Sequence, residues 1–431
     1  MRWLLSGLQW MLFMIAGAIA APIAIADLFQ LSPVETAGFM QRTIFILGLA
    51  GILQGLFGHK LPIHEGPAGL WWGIFTIYAS LVSILYSSNT IALQTLSGGM
   101  IISGVFFILL ALLKLIDKIA RLFTPTITFV YLFLLIFQLS GSFMKGMLGI
   151  TAENIEIKPM ILFLSVIVVC ITFWLGKNKQ MLLQRYSIMI SIVIGWLLFL
   201  LFQQADPIQK ADRLFQLPKL LPFGPPLFDM GTIITSALLT LLLLTNAIVS
   251  IRLMAAIVHY KNDPNRYLRA SFVSGINHFF SGLFGAIGSV PISGAAGFVE
   301  QTGIKKRLPF LIGCFFVIAV SLFPLVMNLI AAIPAPIGYA VTFVIFVSMF
   351  GLALKELSSV QHVERAYIVA GVSLLIGIGL MFIPAEATKS LSPALEVLVN
   401  NGLVCGSVIA IILEQAFIAK EKLDQKNSKN H

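Results

Sequence analysis

Apolar runs of about twenty residues recur along this chain, and that recurrence constrains its fold more than any other feature. A run of that length spans the hydrocarbon core of a bilayer as an α-helix, at 1.5 Å per residue. Only structures that pair their own backbone groups survive there. Composition closes the soluble alternative. Of 431 residues 58% are hydrophobic and 11% charged, against about 25% charged in a soluble domain.

Candidate crossings fall at 4–26, 41–58, 70–86, 97–116, 124–147, 159–176, 186–203, 230–258, 268–287, 295–304, 308–332, 336–355, 365–383 and 398–419. The third and tenth are short, and each follows a Gly/Pro-rich stretch. The opening, Met1-Arg2 and an apolar run to Ala26, has the outline of a signal peptide. Because a dozen further apolar segments follow, it reads as the first membrane helix.

The formal charge of +10 does not point to nucleic acid. The basic residues sit singly or in twos and threes between apolar runs, with no basic arm and no aromatic interleaving. With both termini placed in the cytoplasm, 20 of the 28 Lys and Arg lie on the inner side and seven outside, with Arg252 inside a helix. That bias fits the positive-inside rule, an even number of crossings and a multi-pass protein of the cell membrane. Cys170, Cys314 and Cys405 lie in apolar segments without metal-ligand spacing and read as small core residues.

Residues 62–71 read Pro-Ile-His-Glu-Gly-Pro-Ala-Gly-Leu-Trp, and 291–299 read Pro-Ile-Ser-Gly-Ala-Ala-Gly-Phe-Val. With one residue skipped they share Pro-Ile, Ala-Gly and an apolar exit. They precede crossings seven apart, and an odd offset turns the copies opposite ways across the membrane. The expected fold is therefore all-α: about fourteen helices in a 7+7 inverted repeat, the third and tenth interrupted by short extended stretches. Half-helices starting near Gly69 and Gly294 would present free N–H groups and the positive end of the helix dipole at mid-membrane. Tight packing by small residues is the plainer alternative.

Acidic residues within spans are few. Glu65 lies in the first interrupted segment; the alternative is a loop acid beside His64 and Lys60. Glu300 lies in the tenth; the alternative is pairing with Lys305 or Lys306. Glu414 in the last helix reads as solvated at a helix end. The eighth helix carries Thr240, Thr245, Asn246 and Ser250, and the Asn246 amide offers both donor and acceptor to a nucleobase-like edge. The competing reading is an interhelical hydrogen bond. Hydrolase triad, zinc site and phosphate loop are all missing from the sequence, and the expectation is a protein that is not an enzyme and needs no cofactor.

Several stretches together resemble one family. They are QWMLFMIAGAIAAP from Gln9 to Pro22, GILQGLFGHKLPIHEGPAGLW at 51–71 and Pro125-Thr126. They continue with RYSIMISIVIGWLLFLLF at 185–202, LPFGPPLFDMGTI at 221–233, RASFVSGINHFFSGLFGAIGS at 269–289 and IPAPIGYAVTFVIFVSMFG at 333–351. In this order the chain resembles the xanthine/uracil permeases, or nucleobase–ascorbate transporters. The resemblance implies a core domain of helices 1–4 (1–123) and 8–11 (229–332), and a gate domain of helices 5–7 (124–228) and 12–14 (333–431). It implies a nucleobase held between core and gate, moved by elevator-like alternating access with H+ or Na+ as coupling ion. The partners are then a small solute and the lipid bilayer, with a homodimer left open.

The chain departs from the family at the polar clamp. Counted without a gap, the family's acidic or amide residue of the tenth segment falls on Gly294. Its eighth-helix glutamate falls on Asn246, and the His four residues later on Ser250. Contacts at Gly17, Ala68 and Ser293 need only small residues. The expected substrate site is thus Gly17, Ala68, Gly69, Asn246, Ser250, Ser293 and Gly294, with Glu65 and Glu300 as coupling candidates. The loss of carboxylates also motivates an alternative, an anion transporter or channel on the same fold. A membrane sensor or scaffold is a third.

Overall fold

The computed structural model describes residues 2–82, 85–116, 118, 122, 124–150, 155–180, 183–184, 186–205, 207–211, 213–259, 263, 265–388, 399 and 402–429. Of the 28 Lys and Arg counted above, Arg121, Arg185, Lys261 and Lys389 lie outside them.

Helices dominate: α1 (Arg2–Ala18), α2 (Ala20–Leu28), α3 (Pro33–Leu56), α4 (Gly69–Ser80), α5 (Asn89–Leu112), α6 (Pro125–Met147), α7 (Pro159–Gly176) and α8 (Ser187–Leu201). They continue as α9 (Met230–Ile257), α10 (Asn265–Leu283), α11 (Gly294–Thr302), α12 (Arg307–Ser321), α13 (Pro324–Ala331), α14 (Ala335–Ser358), α15 (Val363–Met381) and α16 (Gly402–Lys429). Two short strands interrupt the series, β1 (Glu65–Pro67) before α4 and β2 (Ser289–Pro291) before α11.

Local chemistry sets the helix starts. The Ser32 hydroxyl accepts from the Glu35 N–H while the Glu35 carboxylate accepts from the Ser32 N–H, with Pro33 in the first turn of α3. Asp229 opens α9 by accepting from the N–H and hydroxyl of Thr232, at 2.7 and 2.9 Å. Gly303, at φ +67°, ends α11 in the left-handed conformation that glycine adopts freely.

Among the described residues, nine helices are long and apolar enough to cross a membrane, counting α1 and α2 as one span. The pair α12–α13 makes up to ten, but it bends by 85° at Leu322–Phe323, ahead of Pro324. The expected unbroken crossing over 308–332 is thus two helices. The other four expected crossings differ in kind. α4, α8 and α11 are short, at 12, 15 and 9 residues. α10 is too polar, because it carries Arg266, Arg269, Asn277 and His278. Arg266, Asn277 and His278 are buried in protein, and Arg269, partly exposed, pairs with Asp263 at 2.6 Å.

Two compact units are defined by the contacts. One comprises 1–116 and 142–344, the other 117–141 and 345–431. In the first, α10 lies along α5, and α12 packs on α1 and α3. Small residues allow this closeness. A Cβ added to Gly275 would lie 2.6 Å from the Gly104 carbonyl oxygen, and one on Gly104 would lie 2.6 Å from the Gly275 carbonyl oxygen. Backbone cannot yield there as a side chain can. We expect Gly275→Ala to cost about 1–3 kcal/mol by overpacking, read as a lower melting temperature in detergent. Gly371→Ala, which meets nothing within 4 Å, should melt like the parent. Equal melting of the two variants would refute the tight seam.

In the second unit α15 packs along α16. Gly377 and Gly402 meet backbone to backbone at one end of the pair. Toward the other end, Arg365 pairs with Glu414 at 3.2 Å and with Glu421 at 2.8 Å. Glu414 is fully buried. It is therefore a structural partner of Arg365 and not the solvated helix-end acid the sequence suggested, because α15 brings a cation over it. The cysteine reading also needs correction: Cys314 is buried, but Cys170 is exposed and Cys405 half-buried.

Candidate functional site

β1 and β2 pair antiparallel, with Glu65 opposite Pro291, Gly66 opposite Val290 and Pro67 opposite Ser289. Two further bonds flank the ladder. The Ala68 N–H donates to the Gly288 carbonyl at 2.9 Å, and the Ile292 N–H donates to the His64 carbonyl at 3.0 Å. Pro67 and Pro291 cannot continue a helix through these positions and have no N–H to leave unpaired. The ribbon is buried by protein, so extended backbone is tolerated within a helical membrane protein.

Pairing the strands brings the starts of α4 and α11 to the two ends of one ribbon. Ala68, extended and fully buried, precedes α4 without a side-chain cap. Among the described residues the N–H groups of Gly69, Leu70 and Trp71 have no acceptor. The second start differs. The Ala295 N–H turns back to the Ile292 carbonyl at 3.1 Å, and the Ala296 N–H to the Ser293 carbonyl at 3.0 Å. The expected donor cluster is thus concentrated at α4, with the Ser293 and Gly294 N–H groups without an acceptor among the described residues at the start of α11.

Open space fronts three glycines. A Cβ on Gly297 would meet nothing within 4 Å, one on Gly294 only the Ile292 side chain at 3.6 Å, and one on Gly17 only His64 Nε2 at 3.9 Å. On α11, Gly294, Gly297 and Glu300 share one exposed face at helical spacing, while Ala295, Ala296, Phe298 and Val299 turn inward. Glu300 makes no ion pair among the described residues, and Lys306 instead sits over the Trp3 ring at 5.7 Å.

α9 packs against both β2 and α11. Asn246 is exposed there, whereas Ser250, one turn on, is buried with its hydroxyl unpartnered among the described residues. Four residues apart, the two predicted residues lie on one side of α9, with Asn246 open and Ser250 covered. Ser293 and Gly69 are half-buried.

Successive residues of a strand face opposite ways, which separates the two polar residues of β1. Glu65 shares its face with Pro67, Pro291 and Ser289. It is 2% exposed, and its carboxylate lies beside the Ser289 hydroxyl on the same face without a hydrogen bond of good geometry among the described residues. His64 shares the other face with Gly66 and Ile292, as the 3.7 Å from His64 Nε2 to a Cβ on Gly66 confirms. The His64 ring stands edge-on to Phe13 at 5.0 Å, and Phe13 stacks on Phe298 at 4.4 Å. Sequence reasoning passed over His64 as a site residue. The signal was present in the alternation of 64–67, but only once a strand is assumed there.

A membrane protein with a buried two-stranded ribbon, two helix starts at its ends and glycine-lined space beside it has the architecture of a solute transporter. The family model Xan_ur_permease, described as "Permease family", matches residues 1–386. A Bacillus subtilis (strain 168) protein named "Putative purine permease YwdJ" is 43% identical over 96% of this chain and 96% of its own length. The xanthine permease of the same organism is 25% identical over 97% of this chain and 95% of its own. The transmembrane domain of the cyanobacterial bicarbonate transporter BicA superposes with a TM-score of 0.60 at 17% identity, covering 94% of this chain and 97% of that one; at that identity the likeness shows the fold alone. The chain belongs to the xanthine/uracil permease family.

Proposed function

We propose that this protein carries a purine-type nucleobase across the cell membrane by elevator-like alternating access. The observation that supports the reading is the β1–β2 ribbon, which puts the uncapped α4 start at one end and the start of α11, with Gly294, at the other. A flat ring can approach backbone there because no side chain intervenes, and uncapped N–H groups favour ring carbonyl oxygens. The substrate contacts are Gly17, Ala68, Gly69, Ser293, Gly294 and Asn246, with Ser250 buried behind them. We read the architecture as fourteen crossings in a 7+7 inverted repeat, with α4 and α11 as interrupted crossings and core and gate formed by helices 1–4 with 8–11 and 5–7 with 12–14. Both termini then face the cytoplasm. The relatives' names support a purine over the anion alternative.

Uptake of radiolabelled xanthine, guanine, hypoxanthine, adenine and uracil into cells expressing the protein tests this reading. Saturable uptake of one or more purines is expected; no uptake and no thermal shift with any base would sink it. For coupling to H+ or Na+, buried Glu65 and exposed Glu300 are the two candidates. Glu65→Gln should abolish uptake driven by the ion gradient yet spare exchange of labelled for unlabelled base, as a fixed neutral group can bind but not cycle a charge. The same outcome with Glu300→Gln, and not with Glu65→Gln, would move the role to Glu300.

A further inference from the structure

We infer that His64 is a substrate-binding residue, whose imidazole hydrogen-bonds a ring carbonyl of an oxopurine through Nε2. The inference rests on the purine reading above and assigns a polar contact within that site. Its grounds are geometric. His64 is 4% exposed, and no other side chain or backbone group among the described residues hydrogen-bonds its ring. Buried polar atoms in native proteins are nearly always paired, so an unpaired buried imidazole calls for a partner that is not part of the chain.

The two nitrogens are not equivalent. Nδ1 is buried and has no hydrogen-bond partner among the described residues. Nε2 points at the space in front of Gly17, 3.9 Å from where a Cβ would sit there and 3.7 Å from where one would sit on Gly66. On the Gly66 side the Ile292 side chain fills the space, whereas a Cβ on Gly17 would meet nothing but Nε2 within 4 Å, so the open approach to Nε2 is from Gly17. The ring is fixed by its edge-on contact with Phe13, itself stacked on Phe298. Phe298 is buried behind Phe13, so half-buried Phe13 is the apolar neighbour of this space and His64 its polar edge.

Chemistry chooses the ligand atom. A neutral imidazole carries one N–H. An unpaired buried N–H is rarer in proteins than an unpaired acceptor, which places the proton on Nε2, where a ligand can accept it. The complementary group is a ring carbonyl, as in xanthine, and not the exocyclic amine of adenine. Glu65 is no competitor for this proton, since it lies on the opposite face of β1.

The test is competition by unlabelled ligands against labelled substrate uptake, for the parent protein, His64→Ala and His64→Gln. Xanthine should lose about tenfold or more in affinity with His64→Ala. Unsubstituted purine, which has no carbonyl, should compete equally against both. His64→Gln, which keeps an N–H donor, should recover part of the xanthine affinity, and all three proteins should melt alike. Unchanged xanthine affinity in His64→Ala would overturn the assignment. So would an equal loss for xanthine and purine, because that marks a packing role. If the parent itself takes up no base, it is the permease reading that fails, and this outcome is separate from either of those.

Discussion

Gly294→Val is expected to cut nucleobase uptake by at least tenfold while leaving the fold intact. The side chain would enter the space beside the ribbon. A Cβ at this position meets only the Ile292 side chain, at ordinary contact distance, 3.6 Å. The residue opens α11, and a single exposed substitution of this kind changes stability by about 0.5 kcal/mol or less. Stability and transport should therefore separate. Valine carries two methyl groups into the place where a flat ring would touch backbone, and a ligand displaced by even about 1 Å loses its hydrogen-bond geometry. Melting temperature in detergent and initial uptake rate, measured on one preparation, decide the matter. Full transport would show that the open space at Gly294 is not the substrate's place. Lost transport together with a lowered melting temperature would show a structural role instead.

Arg365→Ala should produce the opposite pattern, a large loss of stability. Arg365 on α15 bridges Glu414 and Glu421, one buried and one at the rim of α16. Removing the cation leaves Glu414 without a counter-charge in a fully buried position. Breaking a buried pair from one side costs about 3–5 kcal/mol, because an uncompensated charge or a forced protonation remains. Replacing both partners by apolar residues of similar volume is often neutral. The double variant Arg365→Leu with Glu414→Leu should thus melt well above Arg365→Ala. Fluorescence-detected size exclusion after heating gives the comparison. If the single variant melts like the parent, the pair adds nothing. If the double variant is as unstable as the single, the pair does more than cancel charge.

Both expectations depend on where side chains sit, and the sequence carried them to different degrees. Apolar mass alone determined the membrane class, since no soluble core accommodates a chain that is 58% hydrophobic. Some helix starts were read correctly, those at Pro159 and Met230 among them, whereas α3 begins at Pro33, eight residues before the expected 41, and the break before Pro324 was read as continuous helix. Of the two stretches read as alike, 62–71 contains β1, whereas β2 at Ser289–Pro291 meets 291–299 only at Pro291.

Tertiary structure decided the rest. Pairing of β1 with β2 joins residues more than two hundred positions apart, and no local rule sets that register. The register then sends Glu65 and His64 to opposite faces, so two neighbours that read as one polar patch have different surroundings. Asn246 and Ser250 lie on one side of α9, yet one is open and the other covered. Glu414 looked like a helix-end acid until α15 placed Arg365 over it. In each case the residue's chemistry was visible in the sequence, but its surroundings depend on which distant segment packs against it.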